Sequence, residues 1–307
     1  MYPFGMDLSD DPLNESFGAL LDRVDILRDR TDISELTGGL TNRNLKISTP
    51  NGTYVARISS NESTMLDIDR ESEFVNSQLA AEVGIGAPVY DYLPGGGLLV
   101  IGFLEGNTLD GIGVGNNLER IAESLRTLHS AKPFLREFNM FNVQANYLTI
   151  VNQNNFRKPD RYDDYLHYIQ PLSRALAATA TGLVPCNNDL LPANFIDSGS
   201  KIWLIDYEYS GNNDPCFELG NIWSEAHLEI DALRDLVTAY YGESRPDKFA
   251  RAWLYSVLAK YGWTLWGAIQ NSISQIDFDF WSWAMLKFDD VERDLGSTFY
   301  NEQIAQL

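Results

Sequence analysis

Residues 186–221 read CNNDLLPANFIDSGSKIWLIDYEYSGNNDPCFELGN. In this stretch apolar residues hold short polar ones between them more densely than anywhere else in the chain. Asp189 and Asn194 form a D-x-x-x-x-N arrangement that runs into a strand, and after a short turn a second strand, KIWLI, delivers Asp206. A nucleophilic hydroxyl needs a carboxylate beside it, whereas Mg²⁺ on nucleotide phosphates needs hard oxygen ligands close by. Asp189 suits the first task, and Asn194 with Asp206 suits the second. A bare D-x-x-x-x-N is usually a set of turn formers. The strand that delivers Asp206, together with the order of elements on either side, favours chemistry instead.

Upstream, Leu13 to Arg28 has apolar residues at helical spacing, with Phe17, Leu20, Leu21, Val24 and Leu27 on one face. From Ile33 to Ser59 the pattern becomes short strands broken by turns: LTGGLTNRN, LKIS, a Pro50-Asn51-Gly52 hairpin turn, and TYVARIS. Asp69 to Val83 predicts a helix ending near Gly84, and strands near Val89–Leu93 and Leu98–Phe103 flank the PGGG turn. Beyond Gly106 strands are rare. Helical stretches are predicted at Leu118–Ala131, Arg161–Ala180, Leu228–Tyr241, Pro246–Ile276 and Phe280–Leu295. The expected architecture is α+β and bilobal: a small lobe, 1–105, with an antiparallel sheet and one main helix, and a larger, mostly helical lobe, 106–307.

The length, 307 residues, suits two lobes, and 23 Lys and Arg against 43 Asp and Glu give a net charge of −20. So acidic a chain repels phosphate backbones and anionic lipid, which disfavours nucleic-acid or membrane-surface partners and favours small cationic ligands. Cys186 and Cys216 have no soft ligands clustered near them, so neither a zinc site nor a disulfide scaffold is expected, and a reducing cytoplasm is the expected compartment. The opening MYPFGMDLSDDPLNES has no basic n-region or apolar h-region, and no stretch reads as a membrane span.

NDLLPAN at 188–194 and IDYEY at 205–209 resemble the phosphotransferase motif of the choline/ethanolamine kinase family, relatives of the aminoglycoside kinases with a protein-kinase-like fold. The resemblance implies ATP and Mg²⁺ as cofactors, Asp189 as catalytic base, and Asn194 and Asp206 as metal ligands. It makes Glu208 a further metal-proximal or loop-anchoring carboxylate, grouped with Tyr209 on the acceptor side. The sequence departs from the family in two places: Asn187 stands where the family usually has His, and Glu218 stands in FELGN where the family favours Asp. An Asn amide can replace an imidazole that only ties a loop to backbone.

GGLTNRN at 38–44 resembles the family's nucleotide-covering loop, which makes Gly39, Thr41 and Asn42 nucleotide-side candidates; a tight hairpin is the commoner meaning of Gly-Gly. No Walker A sequence is present. Arg57 stands where protein kinases keep Lys, and its guanidinium can grip phosphate oxygens bidentately, with Glu73 as the expected ion-pair partner and Glu71 as a competitor. Trp263 and Trp266 lie three apart on one predicted helix and Trp283 on the next, resembling the family's W-x-x-W segment and the aromatic that follows it. Indoles often fill helical cores, but as a set after a kinase motif these three with Tyr209 imply a cage for a cationic amino alcohol, choline above ethanolamine or an aminoglycoside. A non-catalytic sensor is the competing class. The short span between Asp206 and Asn221 leaves no room for a protein-kinase activation segment. His129 and Cys186 read as structural.

Overall fold

The computed structural model describes residues 11–37, 39–59, 65–95 and 97–307. The first ten residues, Gly38 of the glycine pair and Gly96 of the PGGG turn lie outside them.

The small lobe is a five-stranded antiparallel sheet, β1 (Asp32–Leu36), β2 (Asn42–Thr49), β3 (Gly52–Ser59), β4 (Val89–Leu93) and β5 (Leu98–Gly102), in the order β1-β2-β3-β5-β4. Strand alternation sorts its residues. Leu45 pairs with Ala56 and Ile47 with Tyr54, all buried, on a face shared with Leu98 and Val100. Arg57, one residue on, points to the opposite face, towards α2 (Arg70–Glu82). Asp69 caps α2 by accepting from Ser72 N at 2.9 Å. The hairpin closes at Gly52, whose φ of +151° suits a residue without Cβ.

The helix expected over Leu13–Arg28 is shorter. It is α1 (Pro12–Leu21), followed by a separate 3₁₀ turn at Asp25–Leu27. Val24 between them is extended (φ −108°), which carries Val24 and Leu27 under the sheet with Leu21. Arg30 braces the break through Asp22 and Asn14.

The sheet of the small lobe ends at Gly102, and β6 (Asn107–Thr108) already pairs with β8 (Phe195–Asp197), which pairs with β9 (Ile202–Leu204). A second ribbon joins β7 (Val184–Cys186) to β10 (Gly211–Asn213). The rest is helical: α3 (Gly111–Gly115), α4 (Leu118–His129), α5 (Met140–Gln153), α6 (Leu166–Ala178), α7 (Pro215–Glu225), α8 (Ile230–Tyr241), α9 (Pro246–Ile273), α10 (Phe280–Asp294) and α11 (Thr298–Gln306). Helix α9 is the axle of the lobe, buried on every side from Lys248 to Leu254 and again from Ser256 to Gln270, with α5, α7, α10 and α11 packed on it. Gly220 lets α7 approach it, because a Cβ there would sit 2.0 Å from the Ala252 carbonyl oxygen. Among the described residues no helix is long and apolar enough to cross a membrane.

Helices α3, α5, α7 and α11 are not among the five stretches read from sequence. The start of α7 carries a clear signal, Asp214 capping Cys216 N at 2.9 Å with Pro215 in the first turn, but the Asn and Gly around it read as loop.

Candidate active site

The segment between β7 and β8 is held by four side chains. Asn187 Nδ2 donates to the carbonyls of Ile205 (3.0 Å) and Asp206 (2.8 Å), while its Oδ1 accepts from Asp189 N at 3.0 Å. This is the scaffold bond expected of an imidazole, made by an amide. Glu218, fully buried, accepts from the backbone N–H groups of Asn187 (2.7 Å) and Asn188 (3.0 Å) through Oε1. Its Oε2 meets His129 Nε2 at 2.5 Å, and His129 Nδ1 meets the Tyr240 hydroxyl at 2.7 Å. Asn188, at φ +69°, satisfies its amide on the carbonyls of Cys186, Tyr209 and Gly211. Asn194 Nδ2 donates to the Asp189 carbonyl at 2.7 Å, which fixes the 3₁₀ turn at Pro192–Asn194. The longer carboxylate at 218 and the Asn at 187 therefore still anchor the loop.

The His129, Cys186 and Glu218 ligand atoms cluster within 4.8 Å, but they already bond one another and are buried. Burial pushes the Cys186 thiol well up, which fits a core residue.

Asp206 (φ +66°) and Glu208 follow β9 and meet the small lobe. Arg57 Nη2 lies 2.6 Å from Asp206 Oδ1 and 2.9 Å from Glu208 Oε2, and Arg57 Nε lies 3.0 Å from Glu73 Oε1 as a charge contact without hydrogen-bond alignment. Glu73, not Glu71, is the helix partner. Arg70, which the sequence reading missed, bonds Glu73 Oε2 (2.7 Å), Glu208 Oε2 (3.1 Å) and Asn42 Oδ1 (2.9 Å), and Asn42 Nδ2 donates to Glu208 at 2.8 Å. The Glu208 carboxylate thus turns to the small lobe, away from the acceptor-side grouping expected for it, and ties the glycine-rich loop to the IDYEY segment. Burial is the largest influence on both carboxyls. On Asp206 it prevails over Arg57 and raises the pKa; on Glu208 the cations Arg57 and Arg70, with hydrogen bonds from Asn42 and Thr41, prevail and lower it.

One cleft of about 560 Å³ joins both lobes. Gly39 and Thr41 line it from the loop after β1, Arg57 from β3, and Gly102 to Leu104 from the crossing between lobes. A Cβ on Gly39 would meet the Asn42 carbonyl at 2.8 Å, so the tight loop needs glycine there. Asp189, Asn194 and Asp206 line its middle, and Tyr209, Trp263, Trp266 and Trp283 its far end. Glu73 and Asn42 stand behind Arg57 and the loop.

The rings meet at steep angles. Tyr209 lies 5.1 Å from Trp263 and Trp266 lies 5.2 Å from Trp283, centroid to centroid, with the Trp266 indole N–H donating to the Tyr209 hydroxyl at 2.8 Å. The Trp263 N–H donates to Asn221 Oδ1 at 3.2 Å. Glu225 from α7, also missed, lines the same end and is paired with Lys287 of α10. Its helix was not read from the sequence, so nothing signalled where its carboxylate would fall. Gln270 of α9 reaches the glycine-rich loop, donating to the Leu40 carbonyl at 3.0 Å.

Asn194 and Asp206 line the same cleft as Asp189 and supply an amide and a carboxylate oxygen, hard donors whose chemistry fits Mg²⁺. Burial first, and then the carboxylates of Asp206, Glu208 and Glu225, push the Asp189 carboxyl well above its ordinary range.

A family model described as choline/ethanolamine kinase matches residues 33–240. A protein named LicA from Haemophilus influenzae is 30% identical over 218 residues, covering 67% of this chain and 62% of that relative, so the chain spans less than two thirds of its length. Ethanolamine kinase 1 of Mus musculus is 23% identical over 299 residues, covering 82% of this chain and 81% of the relative. Among solved structures, a choline/ethanolamine kinase family protein from Mesorhizobium loti superposes with a TM-score of 0.83 at 28% identity, covering 96% of this chain and 98% of the other. With two lobes, an anchored Asp189 loop and a family match across most of its length, the chain belongs to the choline/ethanolamine kinase family of alcohol-acceptor phosphotransferases.

Proposed function

We propose that this chain is an ATP- and Mg²⁺-dependent kinase that phosphorylates the hydroxyl of a small cationic amino alcohol, choline above ethanolamine or an aminoglycoside. The observation that supports the reading is the cleft itself, whose lining includes Asp189 together with a glycine-rich loop, three tryptophans and a tyrosine. Residues 1–105 form the nucleotide side and 106–307 the catalytic and acceptor side. Free thiols at Cys186 and Cys216 support a cytoplasmic home.

Each residue has a task that its surroundings support. Asp189 accepts or orients the acceptor's hydroxyl proton, held in place through Asn187 and Asn194. Asn194 and Asp206 would hold the metal, which when bound neutralises charge on the transferred phosphoryl group. Arg57, seated by Glu73, faces the nucleotide phosphates from β3, and Gly39, Thr41 and Asn42 shape the loop above them. Tyr209, Trp263, Trp266 and Trp283 present ring faces to a trimethylammonium group, worth about 0.5–2 kcal/mol per well-placed ring.

ADP release from Mg-ATP, measured with choline, ethanolamine and an aminoglycoside beside an Asp189→Asn variant, tests this. Choline-dependent turnover that the variant lacks is the expected result. No acceptor-dependent turnover above the variant, with ATP or choline still bound, would leave a sensor as the better account.

A further inference from the structure

Among the described residues four carboxylates line the cleft: Asp189, Asp206, Glu208 and Glu225. The first three belong to the phosphate end. Glu225 lines the cleft with the aromatic residues, near enough to Asp189 to act on its carboxyl, and it is not free: Lys287 Nζ donates to both its oxygens, at 2.6 and 2.8 Å, with both side chains buried. Lys287 follows Trp283 by four residues on α10, one helical turn, so its ammonium also rests 4.2 Å from the centre of the Trp283 ring. A fixed cation of the protein's own therefore neutralises the Glu225 carboxylate of the acceptor pocket and takes up one face of the Trp283 ring.

That arrangement treats two kinds of ammonium differently. A primary ammonium carries three N–H donors that need acceptors once water is stripped away. At this end of the cleft the carboxylate that could accept them already accepts from Lys287 through both oxygens. A trimethylammonium group has no donors to satisfy and binds ring faces, which Tyr209, Trp263 and Trp266 still present. We propose that Lys287, by holding Glu225 in an ion pair behind Trp283, makes the acceptor pocket select a fully methylated ammonium over a primary one. The inference rests on the amino-alcohol kinase reading above.

The test compares kcat/KM for choline and ethanolamine, with Mg-ATP, in the unmutated protein, Lys287→Met and the double variant Glu225→Gln/Lys287→Met. The unmutated protein is expected to favour choline by about tenfold or more. Lys287→Met frees Glu225 as an acceptor and should move the ratio towards ethanolamine by about tenfold, while the double variant, without the freed carboxylate, returns most of it. A ratio in Lys287→Met within about twofold of the unmutated one overturns the proposal, as does an unmutated protein that prefers ethanolamine. Turnover of neither amine by the unmutated protein overturns the kinase reading and this proposal with it. Should Lys287→Met fail to fold, tryptophan fluorescence of the unmutated protein decides. Tetramethylammonium should saturate it at about a tenth of the concentration that methylammonium needs, and equal or reversed order overturns the proposal.

Discussion

The two ends of the cleft are built on different physics. The phosphate end is charge on loops and strand ends: Arg57 touches three carboxylates, Arg70 two, and Asp189 hangs from a loop whose backbone bonds to Glu218 and Asn187. The acceptor end is rings on long helices, with the indole N–H groups of Trp263 and Trp266 bonded to Asn221 and Tyr209, and its one carboxylate paired internally. Removing a charge at the first end should leave others unpaired; altering a ring at the second should change fit. Chemistry and selectivity are therefore separable by mutation.

Asp189→Asn is the severest way to break that separation. The variant keeps the side chain's size and the backbone bonds from Asn187 and Asn194, so turnover should fall by about 10³-fold with little change in melting temperature. Turnover close to the unmutated level would remove Asp189 from the chemistry. Arg57→Met comes next. It leaves the buried Asp206 carboxylate without its cation and Glu73 and Glu208 with Arg70 alone, and urea denaturation should show a loss of about 3–5 kcal/mol besides lost activity. Trp266→Phe sharpens the contrast from the other side: KM for choline should rise about fivefold or more while KM for ATP stays, and a change in ATP KM alone would mean that the ends are not separable.

The smallest effect is expected outside the cleft. Arg120 holds the Asp197 carboxyl down to about 2 through paired hydrogen bonds at 2.7 Å. Because the folded value lies below the ordinary 3.8, the stabilisation is present above about 3.8 and is lost as pH falls through about 2. Both side chains are partly exposed, so screening should leave about 1 kcal/mol or less, read as the difference in stability between the unmutated protein and Arg120→Ala at neutral pH.

How much of this was legible in the sequence follows the same division. The phosphate end sits in short motifs, so Asp189, Asn194, Asp206 and Arg57 could be named from spacing and resemblance, whereas spacing put Glu73 first but left Glu71 as a competitor, and it is the buried stripe of α2 through Ser72, Glu73, Asn76 and Ala80 that decides between them. The hairpin of β2 and β3 was readable from its turn and from strand alternation. Long-range placement was not. Glu208 turns to the small lobe because Arg70, 138 residues away, waits there, and Glu225 meets Lys287 only because α7 and α10 both pack on α9. The break after Leu21 likewise comes from the sheet that Val24 and Leu27 must reach, which local periodicity does not record.

The central claim, that one cleft brings a nucleotide phosphate and an amino-alcohol hydroxyl together at Asp189, is tested most directly by ³¹P NMR of the products formed from Mg-ATP and choline. The account predicts a phosphomonoester resonance that grows with ADP, needs choline, and is absent with Asp189→Asn. ADP accompanied only by inorganic phosphate, or a phosphomonoester formed equally by the variant, would contradict it.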